Sequence, residues 1–194
     1  ITILSGQTSN GRILFGDSGD NDIGQIDYDH NNNSMRFITN TVEALKIDSD
    51  NRLSMTRGDT LAEISMDANR SSADQSIGRY QFLWNGTLVA KIEALAGSDT
   101  TNKDDGQLRF QTTESGSSIA ERMRIDSSGR LLIGKTSASR TTIGSEFNQS
   151  GFNRFTADSD KTLELVRTGS NGEIIEFFND SAHTGSLGVN GDRV

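Results

Sequence analysis

Cysteine and proline are both absent from the 194 residues. Without cysteine there is no disulfide and no thiolate metal site. That leaves the compartment open, although it suits a protein made in a cytoplasm and used outside. Without proline, neither a polyproline stalk nor a hinge-rich linker is expected. Apolar residues are scarce at 32%, and Leu, Ile, Val and Phe together make about 23%. That lies just above the ~20% below which chains tend to stay disordered. A single chain can bury only a thin core, and a partner chain would help it bury more. No stretch approaches the ~20 apolar residues of a membrane span, so no membrane insertion is expected. Positive charge is short too: the net charge is −8. Phosphate backbones repel such a surface, so nucleic acid is not an expected partner. The chain starts at Ile1 without an initiator Met or a visible signal peptide, and stops at Val194. Both ends fall mid-pattern, which reads as a fragment or a processed product.

What is abundant is turn chemistry. Gly, Ser, Thr, Asn and Asp make up about half of the chain. These residues form turns and short side-chain-to-backbone hydrogen bonds. The twenty glycines do not recur at every third position, which rules out collagen. One internal repeat stands out. Residues 35–39 read MRFIT and residues 108–112 read LRFQT. After a loop come Glu43-Ala44-Leu45-Lys46-Ile47-Asp48-Ser49 and Glu121-Arg122-Met123-Arg124-Ile125-Asp126-Ser127. Both copies then turn and resume with Arg52-Leu53 or Arg130-Leu131.

Candidate strands fall at 12–15, 23–28, 35–39, 43–48, 52–56, 61–66, 78–84, 87–94, 107–112, 120–126, 130–135, 162–167, 173–178 and 185–189. They are short and bounded by turns. No window sustains helical periodicity between caps, so little or no helix is expected. The plainest hairpin signal is Trp84-Asn85-Gly86-Thr87, since Asn-Gly supplies the two positive-φ residues of a type I′ turn. A simple register pairs Trp84 with Thr87, Phe82 with Val89 and Tyr80 with Lys91. Leu83, Leu88, Ala90 and Ile92 then fall on the other face, and both faces come out partly apolar. Ser128-Gly129 marks a second hairpin, with Asp50-Asn51 as its counterpart. Ser18-Gly19, Asp105-Gly106, Asn171-Gly172 and Asn190-Gly191 mark further turns.

Candidate chemistry is sparse. Asp17, Asp20, Asp22, Asp27 and Asp29 supply oxygen ligands of the kind calcium takes. Their spacing matches no EF-hand, and solvated turns are the plainer reading. Asp99, Asp104 and Asp105 form a weaker version. His30 and His183, the only histidines, lie in dissimilar surroundings and read as surface or interface residues. Glu173 and Glu176 are a carboxylate pair of the sort a glycosidase uses, without a pocket-forming domain around them. Tyr80, Phe82 and Trp84 alternate along one strand, as a core, an interface or a sugar-stacking face would require. Phe177 and Phe178 point to opposite faces of their strand. The expectation is no enzyme, no catalytic residue, no metal site and no cofactor.

Four strings carry a family resemblance. ERMRIDSSGRLLIGKTSASRTTI (121–143) resembles a linker-like repeat of phage tail fibres, especially those of marine and cyanobacterial phages. GRILFGDSGDNDIGQIDYDHNNNSMRFIT (11–39) and GRYQFLWNGTLVAKIEALAGSDTTNKDDGQLRFQT (78–112) resemble two further modules of such fibres. LELVRTGSNGEIIEFFNDSAHTGSLGVNGD (163–192) resembles a module found shortly before a C-terminal intramolecular chaperone. The strings span more than half of the chain. The resemblance implies an all-β, elongated, repeat-built fibre or spike on a virion, probing the host surface from outside the cell. It implies a homotrimer. The thin core, with apolar residues on both strand faces, leads us to expect that the three chains intertwine in β-prism or triple-β-helix-like segments, and the chain divides into modules 1–76, 77–140 and a partial 141–194. Partners would be other tail or fibre proteins, with a host glycan or protein as receptor. The alternatives are a carbohydrate-binding module at a fibre tip and a bacterial extracellular adhesin or filament subunit.

Overall fold

The computed structural model describes residues 2–56, 61–169, 171–179 and 182–189. They are all-β, with antiparallel pairing throughout, as the turn-rich composition and short apolar alternations lead one to expect. The chain divides into two compact units, Ile1–Ser65 and Met66–Val194.

The first unit is a five-stranded sheet in sequence order: β1 (Asn10–Phe15), β2 (Gly24–Asp29), β3 (Ser34–Thr39), β4 (Val42–Ile47) and β5 (Leu53–Ser54). The second unit contains a seven-stranded sheet, again in sequence order. It runs through β6 (Ser76–Trp84), β7 (Thr87–Ala96), β8 (Gly106–Thr112), β9 (Ala120–Ile125), β10 (Leu131–Ile133), β11 (Gly144–Phe147) and β12 (Asn153–Thr156). A separate hairpin joins β13 (Gly172–Asn179) to β14 (Ala182–Val189). Within each unit a strand touches only its ladder neighbours.

The repeated sequence pairs in a repeated register. In β3–β4, Met35 faces Ile47, Arg36 faces Lys46 and Phe37 faces Leu45, and a bulge at Ala44 precedes the pair Ile38–Glu43. In β8–β9, Leu108 faces Ile125, Arg109 faces Arg124 and Phe110 faces Met123, and a bulge at Arg122 precedes Gln111–Glu121. The following turns match atom for atom. Asp48 Oδ1 accepts the N–H of Asp50 and Arg52, and its Oδ2 accepts from Arg52 Nε at 3.0 Å. Asp126 does the same with Ser128, Arg130 and Arg130 Nε at 2.7 Å. The residue needing positive φ is Asn51 in one turn and Gly129 in the other, two residue types that tolerate it.

Three sequence expectations are corrected. Residues 61–66 and 162–167 form no strand, whereas 144–147 and 153–156 do. The last two strands carry few apolar residues and are held instead by a buried ion pair, which no hydrophobic alternation reveals. The β6–β7 turn has positive φ at Asn85 and Gly86 as expected, but the register beyond it differs. Val89 bulges out, so Phe82 faces Ala90 and Tyr80 faces Ile92. That one-residue slip exchanges the faces of β7. Asn190-Gly191 lies outside the described residues.

Candidate functional site

Residues paired across a ladder share a face of the sheet, and here that rule sorts the chain cleanly. On one face of the first unit, Arg12, Asp27, Arg36 and Lys46 stand in a row across four strands. Asp27 is fully buried, bonded by Asn10 Nδ2 at 2.9 Å, Arg12 Nε at 3.4 Å and the Arg36 guanidinium. The second unit repeats the row with Arg79, Glu93, Arg109 and Arg124. Glu93 is buried and accepts from Arg109 Nε at 3.1 Å and Nη2 at 2.5 Å, with Lys91 Nζ at 3.0 Å. Burial alone would raise the Glu93 carboxyl. Hydrogen bonds from Arg109, Lys91 and Ser76 and the Arg109 charge outweigh it, and the group falls from an ordinary 4.5 to about 2. Arg124 is clamped by both oxygens of Glu121 at 2.7 and 2.8 Å, which raises its own pKa against the opposing effect of burial. The row continues through Leu132 to Glu146, which is buried beside Arg154 at 2.9 Å and Lys135 at 3.5 Å.

The opposite faces are mainly apolar, interrupted by Thr39, Thr87, Thr112, Ser145 and Asn153, and no ladder position on them is charged. They carry Ile13, Phe15, Phe37, Ile47 and Leu53 in the first unit and Tyr80, Phe82, Ile125, Ile133 and Phe155 in the second. Each of these ten is between 37% and 63% exposed. Among the described residues only Leu95 and Leu132 are buried hydrophobics, whereas seven polar or charged side chains are buried. The usual arrangement is thus inverted: carboxylates lie under arginine and lysine stems while the apolar side stays open. Covering a half-exposed large side chain is worth about 1 kcal/mol. Ten of them come to roughly 10 kcal/mol per chain, as large as the whole stability of an ordinary domain. The open faces are therefore the largest unspent source of association energy in the two units.

Both faces of the β6–β7 hairpin carry apolar residues, as expected, but the residues are shared out differently, and Leu83, Leu88 and Leu95 lie on the charged face. The Val89 bulge puts Tyr80, Phe82, Ala90 and Ile92 on one face, and Gln81, Lys91 and Glu93 on the other. Tyr80 and Phe82 are not core in this chain, and Trp84 at the hairpin tip is 78% exposed.

The acidic run does not converge. Asp17 accepts the N–H of Gly19 and Asp20, which hold its carboxyl below the usual range. Asp20 accepts from Asp22 N, and Asp22 from the Gln25 amide nitrogen Nε2. Asp27 belongs to the charged row, and Asp29 accepts from Asn31 N and Asn32 Nδ2. In the other acidic loop Asp99 is held low by hydrogen bonds from the Asn102 N–H and side chain and the Thr101 N–H. Asp105 accepts from Ser98 N and Asp99 N, and Asp104 is exposed. A Cβ on Gly97 would come within 2.2 Å of the Asp105 carboxylate, so glycine there makes room for that cap. A cavity of about 330 Å³ opens beside this loop, lined by Asp67, Arg70, Ile77 and Lys103 among others. Among the described residues no three acidic or histidine side chains group to hold a metal ion.

His30 is half-buried, edge-on to Tyr28 at 4.8 Å. His183 pairs with Phe178 in the β13–β14 ladder, and both side chains lie outside the described residues. Phe177 is exposed. Glu173 and Glu176 are exposed on one face of β13, brought together by a bulge that sets them opposite Gly188 and Ser186. The cavity at that hairpin is lined by Leu163, Leu165, Ile174, Ile175 and Leu187, and by neither glutamate.

The charged rows were not legible beforehand. A signal existed, in the Gly-Arg pairs at 11–12 and 78–79 that open each unit's first strand. Compared with known protein families, curated proteins and solved structures, the chain shows no significant match.

Proposed function

We propose that this chain is a structural segment of a phage tail fibre or spike, assembled as a homotrimer that carries host-binding elements away from the virion. The observation that carries the reading is the pair of open apolar faces. Sheets this thin in buried hydrophobics gain roughly 10 kcal/mol per chain by packing those faces against other copies, and closure around an axis also removes exposed edges. The virion setting rests on the resemblance of the four modules to phage fibre sequences. On this reading the protein is not an enzyme, and its task is mechanical: to transmit contact between a receptor and the particle.

Sedimentation equilibrium tests the assembly. The expected mass is three times the 21.0 kDa of the chain. A compact monomer overturns the proposal. The exposed Trp84, beside Tyr80 and Phe82, favours a second reading, a sugar-stacking module at a fibre tip. Loss of cell adsorption in Trp84→Ala with an unchanged melting temperature favours that reading over the shaft.

A further inference from the structure

At the open end of the β6–β7 hairpin, the segment before β6 meets the loop after β7. Lys103 Nζ donates there to Asn69 Oδ1, across 34 positions of sequence. Both residues line the cavity of about 330 Å³, together with Asp67, Arg70 and Asp105, and Ile77 forms part of its floor. An amine, a carboxamide and a carboxylate are the three groups from which a side-chain amide bond can be made.

Backbone contacts hold each partner in place. Lys103 stands at φ 58, a conformation that long side chains rarely take. Its N–H donates to Asp99 O at 3.1 Å. The Asp99 carboxylate in turn accepts the N–H of Thr101 at 2.9 Å and of Asn102 at 3.0 Å. Asp105 ties the loop together from its other end, accepting from Ser98 N and Asp99 N. Strain held by its surroundings in this way gathers at functional sites. On the facing segment Arg70 Nε donates to Ser76 O, which fixes the chain next to Asn69. Among the described residues Lys103 has no carboxylate partner, and Asp67 makes no hydrogen bond or ion pair. The lysine is thus committed to the carboxamide alone, and one cavity carboxylate is left to take a proton.

We infer that Lys103 and Asn69 form an intramolecular isopeptide bond, with Asp67 as the proton carrier. Lys103 Nζ attacks Asn69 Cγ; the Nζ–Cγ bond forms and the Cγ–Nδ2 bond breaks. The lysine ammonium gives up two protons, which Asp67 passes to the departing nitrogen, and that nitrogen leaves as ammonium. No oxidant or further reactant enters. An ordinary lysine is a free amine about once in 2,000 at pH 7. Well-oriented groups within one molecule reach effective concentrations of about 10⁵ M, so roughly 50 M of effective amine remains. The closed ring runs from Asn69 to Lys103 and encloses the whole β6–β7 hairpin, whose β6 is an edge strand. Tension along the chain then passes through the new bond and bypasses the hairpin. That is a staple open to a load-bearing chain without cysteine.

The test is the intact mass of the purified chain, measured by mass spectrometry after denaturation. The linked chain should weigh about 17 Da less than its sequence, the mass of one ammonia. Proteolysis should release a branched peptide that joins the Asn69 and Lys103 fragments. Lys103→Arg and Asn69→Ala should each show the full sequence mass. Freshly purified Asp67→Ala should also show it, because the proton carrier is gone; a complete deficit there would overturn the role of Asp67. A wild-type chain at full sequence mass overturns the bond. So does an ammonia deficit that survives in Lys103→Arg, since a cyclic imide at an Asn-Gly pair such as Asn85-Gly86 loses the same mass. The denatured chain mass is independent of oligomeric state, so failure here leaves the assembly reading standing.

Discussion

Replacing Glu93 by glutamine removes one negative charge and almost no volume from the centre of the second unit's charged row. Three cations surround that carboxylate: Arg109 at 2.5 Å, Lys91 at 3.0 Å and Arg79 at 3.8 Å. The amide takes the carboxylate partner from all three, and leaves Arg109 with Glu121 at 3.9 Å. The size of the loss follows from the carboxyl's fall from 4.5 to about 2. At roughly 1.4 kcal/mol per pH unit this is about 3 kcal/mol at neutral pH, the low end of what breaking a buried pair costs. The sign follows from linkage. The folded-state value lies below the unfolded one, so the stabilisation is complete above about 4.5. It is lost as pH falls toward about 2. Protonated glutamic acid and glutamine are near-isosteric, so the two proteins should converge there. Urea unfolding at pH 7 should therefore separate wild type from Glu93→Gln by about 3 kcal/mol per chain, and the gap should close progressively between pH 4.5 and pH 2. A gap of constant size across that range would refute the electrostatic account, and so would no gap at pH 7.

Other substitutions probe the backbone and the turns. Gly144 has φ +126, and a Cβ there would come 2.4 Å from the Ile133 carbonyl oxygen, so Gly144→Ala should lower chain stability by about 3 kcal/mol in denaturant melts. Gly86 has φ +81 with nothing within 4 Å; Gly86→Val should cost about 1–2 kcal/mol from backbone strain alone, and Gly86→Asn should recover most of it. Asp48→Ala and Asp126→Ala remove matched sets of turn hydrogen bonds, so each should cost about 2 kcal/mol, and a large inequality between them would break the correspondence of the two turns. Trp84→Ala should change the melting stability by less than about 1 kcal/mol, because the ring is already in solvent; a loss of about 3–5 kcal/mol would mean that assembly buries it.

Strands with clear apolar alternation were legible from sequence, and so was the repeat, because MRFIT and LRFQT carry the alternation and the Asp-centred turns on their surface. The faces of the β6–β7 hairpin were not legible. Turn chemistry sets the first pairs beyond Asn85-Gly86, but a bulge at Val89 depends on which face must match Gln81 and Glu93. β11 and β12 leave no periodic trace in the sequence, because Glu146 meets Arg154 and Lys135 at separations of 8 and 11 positions and their one apolar contact is the edge-on pair Phe147–Phe155. Residues 61–66 show the converse: a strand-like sequence that finds no ladder within the described chain. The acidic run looked like a candidate cation site because neighbouring carboxylates share a sequence window. Short Asp side chains bend back onto nearby N–H groups more readily than they converge, and Asp17 and Asp99 do so.

Every sheet is ordered as the chain is ordered, with each strand paired to the one made just before it. A nascent chain leaving the ribosome can therefore add strands one at a time, and no ladder waits for a segment still to be synthesised. Loop closure stays short at each step, which favours fast growth of each sheet. The apolar faces follow another clock. On the assembly proposed above they are covered only when other copies arrive, and the completed sheets then persist for a time with their apolar side bare. Dilution should thus slow the last stage of maturation without slowing the first, and crowded expression should divert chains into aggregates at that stage.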